Sequence, residues 1–510
     1  MGYFSKRVKQ NSREDTPSSR LFAISQRDKF KFTIFYNLID LVDTYKPTWG
    51  DNISVFKSTQ GKTQMKRSTY LKALAAGTLC IAGYVAAEIK PVASETAVSI
   101  TAQLAYPIML KSAEENYLKI SLTGKALVER KRSPLNVALV IDRSGSMSGE
   151  KIQQARAAAE LVVDMLAPQD MIAIIGYDSQ AEVIVPATKI SDKAALKGKI
   201  RRAIHPDGNT ALFAGVSKGI RETQKFFDKN NVNRVILLSD GQANIGPSST
   251  SELGELGKTA AKKGITVSTI GLGLGYNEDL MTALANYSDG NHVFVEHADK
   301  LTAVFQREFD DAMSVVAQNV RINIALKNAK PLRLLGREGD IRGNRVEVGL
   351  KQIYAEREKY VLLAIAPTLE QRQGEQVIAD VSVSYDTENR EAITAKRQVK
   401  LLYSDSQETV NKAINEDVLA DYYIQKSNAA NEMAIKALDK GDTASANRIL
   451  KAAADEVAGK ISKFSSAPAR AVMTKQTESL NDFAEQAVEA PEVQVRKSLK
   501  AYSYKTKKQQ

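Results

Sequence analysis

Between residues 135 and 317, continuous apolar runs alternate with segments whose apolar residues recur at helical spacing. LNVALVID at 135–142 predicts a strand buried on both faces, and KIQQARAAAELVVDML at 151–166 predicts an amphipathic helix after it. Two more strand patterns, at 233–240 and 265–274, are each followed by a helical segment. Strands that alternate with helices form a mostly parallel sheet covered on both faces. The sequence therefore predicts a doubly wound, Rossmann-like α/β domain over 135–317.

The segments on either side of this domain have different patterns. Residues 88–134 and 318–404 alternate between apolar and polar positions without helices, which predicts a β-sandwich over 318–404 and leaves open whether the earlier segment joins it. Residues 405–498 are rich in Ala, Lys and Glu at helical spacing and predict a helical region. The residues at 499–510 resemble a frayed basic tail. The predicted fold class is a multidomain chain with α/β, β and α parts.

Residues 65–87 have the three parts of a secretory signal peptide. Lys66, Arg67 and Lys72 form a basic start, an uncharged stretch follows, and VAA at 85–87 supplies the small residues of a cleavage site. The uncharged stretch is shorter than the span of about twenty residues that a bilayer requires. This segment predicts export from the cell, with cleavage after its last residue.

The position of this segment leaves two interpretations open. In the first, Met65 is the true start, residues 1–64 are not translated, and cleavage after Ala87 releases the protein into the periplasm or the medium. In the second, residues 1–64 are an N-terminal extension and 70–87 is an uncleaved signal anchor that holds the protein to the membrane, with its bulk outside the cytoplasm. The composition of residues 1–64, which contain the only tryptophan, Trp49, favours the first interpretation.

The net charge of +12 does not indicate a nucleic-acid-binding surface, because most of the excess lies early in the chain. Residues 1–64 carry eleven Lys and Arg against six Asp and Glu, and residues 65–87 add three basic residues before any acid. The small excess that remains over 88–510 does not form a polyanion-binding patch. Nucleic acid is therefore excluded as the expected partner.

Side chains with oxygen atoms follow the ends of two predicted strands. DRSGS directly after the first strand contains Asp142, Ser144 and Ser146, and SDG at the end of a later strand contains Asp240. DGNTAL places Thr210 in a loop that enters a helix. In open parallel sheets, ligands bind at the carboxyl ends of the strands. Because carboxylate and hydroxyl oxygens suit hard divalent cations, the sequence predicts a metal site at this edge.

These five residues resemble the metal-ion-dependent adhesion site of von Willebrand factor type A (VWA) domains. The wider layout is similar to bacterial exported VWA proteins related to chloride-channel accessory proteins and inter-alpha-trypsin inhibitor heavy chains. The resemblance implies that Ser144, Ser146 and Thr210 coordinate Mg²⁺ (or Ca²⁺ or Mn²⁺), and that Asp142 and Asp240 bind it directly or through water. It also implies that an acidic residue of a protein partner completes the coordination.

Other motifs give weaker signals. His205, Asp207 and Asn209 lie in the loop before Thr210 and are candidates for contact with a partner. GLGLG at 271–275 lacks the spacing of a dinucleotide-binding loop and predicts a close backbone approach beside the metal site. The three histidines of the chain show no zinc-ligand spacing.

The sequence therefore predicts an exported, non-enzymatic protein that binds a protein partner through a divalent cation. One alternative is a membrane-anchored accessory factor of an envelope transport or secretion complex. Another is a metal-assisted hydrolase, for which His205 and Asp207 are the candidate bases.

Overall fold

The computed structural model describes residues 97–126, 132–368, 374–387 and 391–509. The expectations for residues 1–64 and 65–87, which include the cleavage site after Ala87 and the anchor at 70–87, lie outside the described residues. No helix of the described part is long and apolar enough to cross a membrane.

The described residues form sixteen strands and eleven α-helices. In chain order the strands are β1 Val98–Leu104, β2 Ile108–Leu110, β3 Asn116–Gly124, β4 Leu135–Asp142, β5 Met171–Tyr177, β6 Ala181–Lys189, β7 Val232–Ser239, β8 Thr266–Leu272, β9 His292–Val295, β10 Val315–Leu326, β11 Ala329–Leu335, β12 Asp340–Arg342, β13 Arg345–Tyr354, β14 Glu358–Pro367, β15 Glu375–Thr387 and β16 Ala392–Ser404. The helices are α1 Glu150–Met165, α2 Lys193–Ala203, α3 Leu212–Lys225, α4 Thr250–Lys262, α5 Glu278–Ser288, α6 Leu301–Met313, α7 Gln407–Lys412, α8 Glu416–Leu438, α9 Thr443–Ile461, α10 Ala467–Glu489 and α11 Glu492–Lys508.

The central α/β sheet has the strand order β6-β5-β4-β7-β8-β9, and all its pairs are parallel except β5 with β6. In β4 and β7 every residue is buried, as expected of strands covered by helices on both faces. Ile152 of α1 and Phe305 of α6 belong to the apolar core on one face, whereas Leu212 of α3 and Leu280 of α5 belong to the core on the other. The predicted doubly wound α/β fold is confirmed.

The order of strands in this sheet reverses at β4. After β4 the chain adds β5 and β6 on one side and then returns to add β7, β8 and β9 on the other. In β4, Leu139 pairs with Ile174 on one side and with Ile236 on the other. Ligands of open α/β sheets bind in the crevice at the carboxyl ends of the strands that flank such a reversal. A functional site is therefore expected at this edge of the sheet.

Strands from both sides of the α/β domain share two further sheets, which pack around a common apolar core. One has the order β1-β3-β14-β11 and the other β12-β13-β10-β15-β16-β2. Leu118 of β3 pairs with Leu363 of β14, and Met109 of β2 pairs with Tyr403 of β16. The chain therefore leaves the sandwich after β3, forms the α/β domain, and re-enters the same sandwich at β10.

The C-terminal helices α8 to α11 pack around an apolar core that they share with β3 and β14, and the frayed basic tail that was expected at 499–510 is wrong. Helix α11 continues to Lys508, and along it Leu499 and Tyr504 are buried. The Tyr504 hydroxyl donates to Gly290 O at 2.7 Å, and Lys508 Nζ lies 2.9 Å from Asp289 Oδ1. Lysines near a helix C-terminus also interact favourably with its dipole, so a basic end is compatible with an ordered helix.

Helix α11 is docked on the α/β domain through a cluster of ion pairs around the buried carboxylate of Glu278. Glu278, the first residue of α5, accepts a hydrogen bond from Lys497, and both side chains are buried. Arg496 also pairs with Glu278, and Lys500 Nζ lies 2.5 Å from Asp279 Oδ1. Lys497 Nζ donates to Tyr276 O at 2.5 Å. Because a buried charge without its partner is strongly unfavourable, these pairs fix where α11 lies.

Replacing Lys497 with Met should lower the free energy of unfolding by about 2 kcal/mol, because it removes one of the two cations that pair with buried Glu278 and leaves only Arg496. Urea unfolding followed by circular dichroism measures this loss. The matched control is Lys412→Met, which breaks an exposed pair with Glu408 and should leave the unfolding midpoint unchanged. Equal midpoints for the two variants would contradict the role of the buried pairs.

Buried His292 is expected to make the stability of the fold depend on pH. It is buried, with Nδ1 at 2.8 Å from Thr269 Oγ1, and burial together with the charges of Lys497 and Lys505 lowers the pKa of His292 to about 3. The unfolded chain takes up this proton near pH 6.5 and the folded chain does not. The contribution is complete above pH 6.5 and is lost as the pH falls toward 3.

Between pH 7 and pH 5 the native protein should therefore lose about 2 kcal/mol more stability than a His292→Gln variant. Urea unfolding of both proteins at the two pH values gives the difference. If the two lose the same amount, His292 is not the group that titrates.

Candidate metal centre

The carboxyl end of β4 turns sharply into α1, and this turn carries the first three candidate oxygen ligands. Asp142 is the last residue of the strand, and its Oδ1 accepts a hydrogen bond from Ser144 N at 2.9 Å. Arg143 N donates to Tyr177 O at 2.8 Å, which continues the pairing with β5. One turn of 3-10 helix, Gly145–Met147, follows and leads to α1. This geometry places Ser144 and Ser146 at the edge of the sheet.

The second oxygen of Asp142 is held from the neighbouring strands. Asp142 Oδ2 accepts from Ser239 Oγ at 2.7 Å and from the Tyr177 hydroxyl at 3.2 Å. The carboxylate is fully buried. Its burial, with a smaller contribution from the nearby charge of Asp240, raises the pKa of Asp142 above its ordinary value, although the donors from Ser144 and Ser239 oppose the shift. The site thus contains a buried negative charge that its donors balance only in part.

A continuous chain of oxygen atoms joins the ends of β4 and β7. Ser144 Oγ lies 3.0 Å from Ser146 Oγ, and Ser146 Oγ donates to Asp240 Oδ1 at 2.7 Å. Asp240 is buried and directly follows β7. Two carboxylates and two hydroxyls from strand ends 97 residues apart in sequence are therefore brought together, as the sequence predicted.

Thr210 reaches the same place from the loop between α2 and α3. Its backbone N donates to Asn244 Oδ1 at 2.8 Å, and Gly208 O accepts from Gly145 N at 3.0 Å, so the loop lies against the turn after β4. A Cβ atom added to Gly241 would lie 3.3 Å from Thr210 Oγ1 and 3.5 Å from Ser146 Oγ. The hydroxyls of Thr210 and Ser146 therefore face one point, and Gly241 keeps that point open.

The three candidate partner-contact residues lie in the same loop and are exposed. Asp207 N donates to Arg143 O at 2.7 Å, and Asn209 N donates to Ser179 Oγ at 3.0 Å, so their backbones are fixed. His205 Nδ1 lies 3.3 Å from the guanidinium of Arg156. The structure thus places Asp207 and Asn209 on the rim beside Thr210, while His205 turns toward α1.

The glycine-rich loop at 271–275 approaches the site closely, as predicted. A Cβ on Gly275 would lie only 2.9 Å from Asp240 O, and one on Gly273 would lie 4.0 Å from Lys151 Nζ. Gly273 also has a φ of +71°, which glycine adopts readily. These glycines allow the backbone of the loop to pack directly against the residue that carries the second carboxylate.

Sequence reasoning missed several residues that complete the site. Ser239 and Tyr177 bind Asp142, and Asn244 holds Thr210. Lys151, in the first turn of α1, contacts Asp240 Oδ2 and donates to Ser146 O at 3.3 Å. Ser239 adjoins Asp240 in sequence and could have been found, whereas the contact of Lys151 had no signal in the spacing.

The chemistry of this donor set fits a hard divalent cation. In the described residues no group of three or more His, Cys, Asp and Glu side chains is placed to hold a metal ion. The set at this edge is of a different kind, because it combines two carboxylates with three hydroxyls. Mg²⁺ and Ca²⁺ bind such oxygen ligands and commonly keep positions for water or for a ligand. Asp142, Asp240, Ser144, Ser146 and Thr210 are therefore suitable ligands for Mg²⁺ or a similar ion.

Comparison with known proteins identifies the α/β domain. The family model of the von Willebrand factor type A domain matches residues 136–307. An uncharacterized protein of Synechocystis sp. is 27% identical over 53% of this chain and 66% of its own length. YfbK of Escherichia coli is 28% identical over 42% of this chain and 38% of its own length. Human inter-alpha-trypsin inhibitor heavy chain H2 is 25% identical over 37% of this chain and 21% of its own length. The matches thus span less than two thirds of each relative.

Two solved structures are similar over most of the chain. A von Willebrand factor type A protein from Catenulispora acidiphila covers 82% of this chain and 99% of its own, with a TM-score of 0.64 and 14% identity. The ArnB paralog VWA2 from Sulfolobus acidocaldarius covers 81% of this chain and 99% of its own, with a TM-score of 0.54 and 16% identity. The likeness of fold extends beyond the α/β domain into the sandwich and the helical region. Residues 136–307 of this chain form a von Willebrand factor type A domain.

Proposed function

We propose that this chain is a divalent-metal-dependent protein-binding protein that engages an acidic group of its partner at the edge of the VWA sheet. VWA domains commonly bind protein partners. The observation that carries the proposal is the oxygen network in which Ser146 joins Ser144, at 3.0 Å, to Asp240, at 2.7 Å. Ser144, Ser146 and Thr210 would hold Mg²⁺, Ca²⁺ or Mn²⁺, and Asp142 and Asp240 would bind it directly or through water.

The charge of the site explains why an acidic ligand would suit it. The two carboxylates of Asp142 and Asp240 balance a divalent cation, and Lys151 adds one positive charge beside them. The five side chains leave coordination open for a sixth oxygen. When bound, the cation would supply an electrophilic centre that attracts the carboxylate of a partner. Asp207 and Asn209 on the rim would then contact neighbouring groups of that partner.

The proposal includes export and binding rather than catalysis. The basic start, apolar stretch and small residues of 65–87 support export to the periplasm or beyond, and retention of 70–87 would leave the protein anchored as an accessory factor. His205, a candidate base for hydrolysis, has its Nδ1 beside the guanidinium of Arg156, where that nitrogen accepts a hydrogen bond rather than a substrate proton. This contact supports binding over a hydrolysis in which His205 is the base.

Ser146→Ala should weaken binding of Mn²⁺ by about 10-fold or more, because it removes a hydroxyl that would bind the metal and that orients Asp240. Titration of the full chain followed by electron paramagnetic resonance of free Mn²⁺ measures the affinity. Ser148→Ala is the matched control, since its hydroxyl lies in the same turn and donates to Gly145 O. Equal affinities for the two variants would contradict the assignment.

The immobilised chain should retain a partner from native envelope extract only when the metal is bound. We expect retention in Mg²⁺, and loss both in EDTA and in a Thr210→Val variant, which removes one hydroxyl but keeps the backbone bonds to Asn244. Quantitative mass spectrometry of the three eluates compares them. A partner set that is the same in all three would mean that binding uses another surface.

A further inference from the structure

Lys151 lies where a basic residue is electrostatically unfavourable by itself. It is the second residue of α1, next to the positive end of the helix dipole, where acidic side chains are preferred. Its ammonium group instead reaches across to the end of β7, where it contacts Asp240 Oδ2, and it donates to Ser146 O at 3.3 Å. The position of Lys151 is therefore explained by the site rather than by the helix.

The contact occupies the second oxygen of a buried carboxylate. Asp240 Oδ1 already accepts from Ser146 Oγ, so Lys151 completes the pairing of this side chain. The side chain of Asp240 is fully buried, whereas that of Lys151 is 36% exposed. The ammonium thus covers Asp240 on its solvent side. A Cβ on Gly273 would lie 4.0 Å from Lys151 Nζ, so the opposite loop borders the lysine without enclosing it.

From these contacts we infer that Lys151 is a tethered cation that competes with the divalent metal for Asp240. This inference rests on the proposed function of the same site. Two positive charges beside one carboxylate repel each other, so Lys151 has to leave Asp240 Oδ2, or be drawn aside, before a divalent cation is held there. Lysine suits this role because its charge sits on a long flexible stem that changes rotamer readily.

The competition has two consequences for binding. It weakens the apparent affinity for the metal, because part of the binding free energy goes into separating Lys151 from Asp240. In addition, once the metal binds Asp240, the ammonium group of Lys151 is free at the solvent side of the site. That charge attracts the same acidic group of a partner that the metal attracts, so metal and partner bind cooperatively.

The test compares Mn²⁺ affinity in the full chain for the native protein, Lys151→Met and Lys151→Arg. Removing the charge should tighten Mn²⁺ binding by at least about tenfold, and Arg, which keeps the charge, should stay within about threefold of the native value. Lys197→Met is the matched control, since it removes a lysine that pairs with Asp164 at the other end of α1. A second readout is thermal unfolding, in which Mn²⁺ should raise the midpoint of Lys151→Met more than that of the native protein.

The outcomes separate this inference from the proposed function. If native protein and Lys151→Met bind Mn²⁺ equally, or the variant binds more weakly, the competition is wrong while the metal site stands. If Lys151→Met binds Mn²⁺ and the native protein does not, Lys151 competes strongly enough to prevent metal binding, which supports the inference. If neither binds at millimolar Mn²⁺ although both are folded, the metal site and the inference are both overturned.

Discussion

Asp142 is a carboxylate at the end of a strand that is buried along its whole length, and a charge in such a place is unfavourable unless donors or a cation offset the lost hydration. Ser144 N, Ser239 Oγ and the Tyr177 hydroxyl all donate to it. They come from the following turn and from both neighbouring strands, so one buried group fixes the carboxyl ends of β4, β5 and β7. The other candidate metal-binding side chains are positioned by these strand ends.

The other side of the site is connected to the C-terminal helix. Gly275 packs against the backbone of Asp240, and the next residue, Tyr276, accepts a hydrogen bond from Lys497 of α11 at 2.5 Å. The ammonium of Lys497 also lies 4.2 Å from the centre of the Tyr276 ring. A single loop therefore contacts the candidate metal site at one end and the helical region at the other. The C-terminal helix therefore helps to hold the loop that borders the site of the VWA domain.

The α/β domain and the meeting of the five oxygen-bearing side chains at its edge could be predicted from the sequence, because both depend on local patterns. Asp142 and Asp240 directly follow apolar runs, which places them at strand ends. The burial of α11 could not be predicted, since Lys497 meets its partners more than 200 residues earlier in the chain. Lys151 was missed for the same reason, because its contact with Asp240 spans 89 residues. Contacts between segments so far apart have no periodic signal.

Anomalous diffraction from crystals of the full chain equilibrated with Mn²⁺ would show whether a divalent cation binds at the carboxyl edge of the sheet. We expect an anomalous peak there, bordered by the hydroxyl oxygens of Ser144, Ser146 and Thr210, with Asp142 and Asp240 behind it. A well-ordered edge without such a peak, at a concentration that saturates Mn²⁺ binding in solution, would contradict the assignment of the metal site.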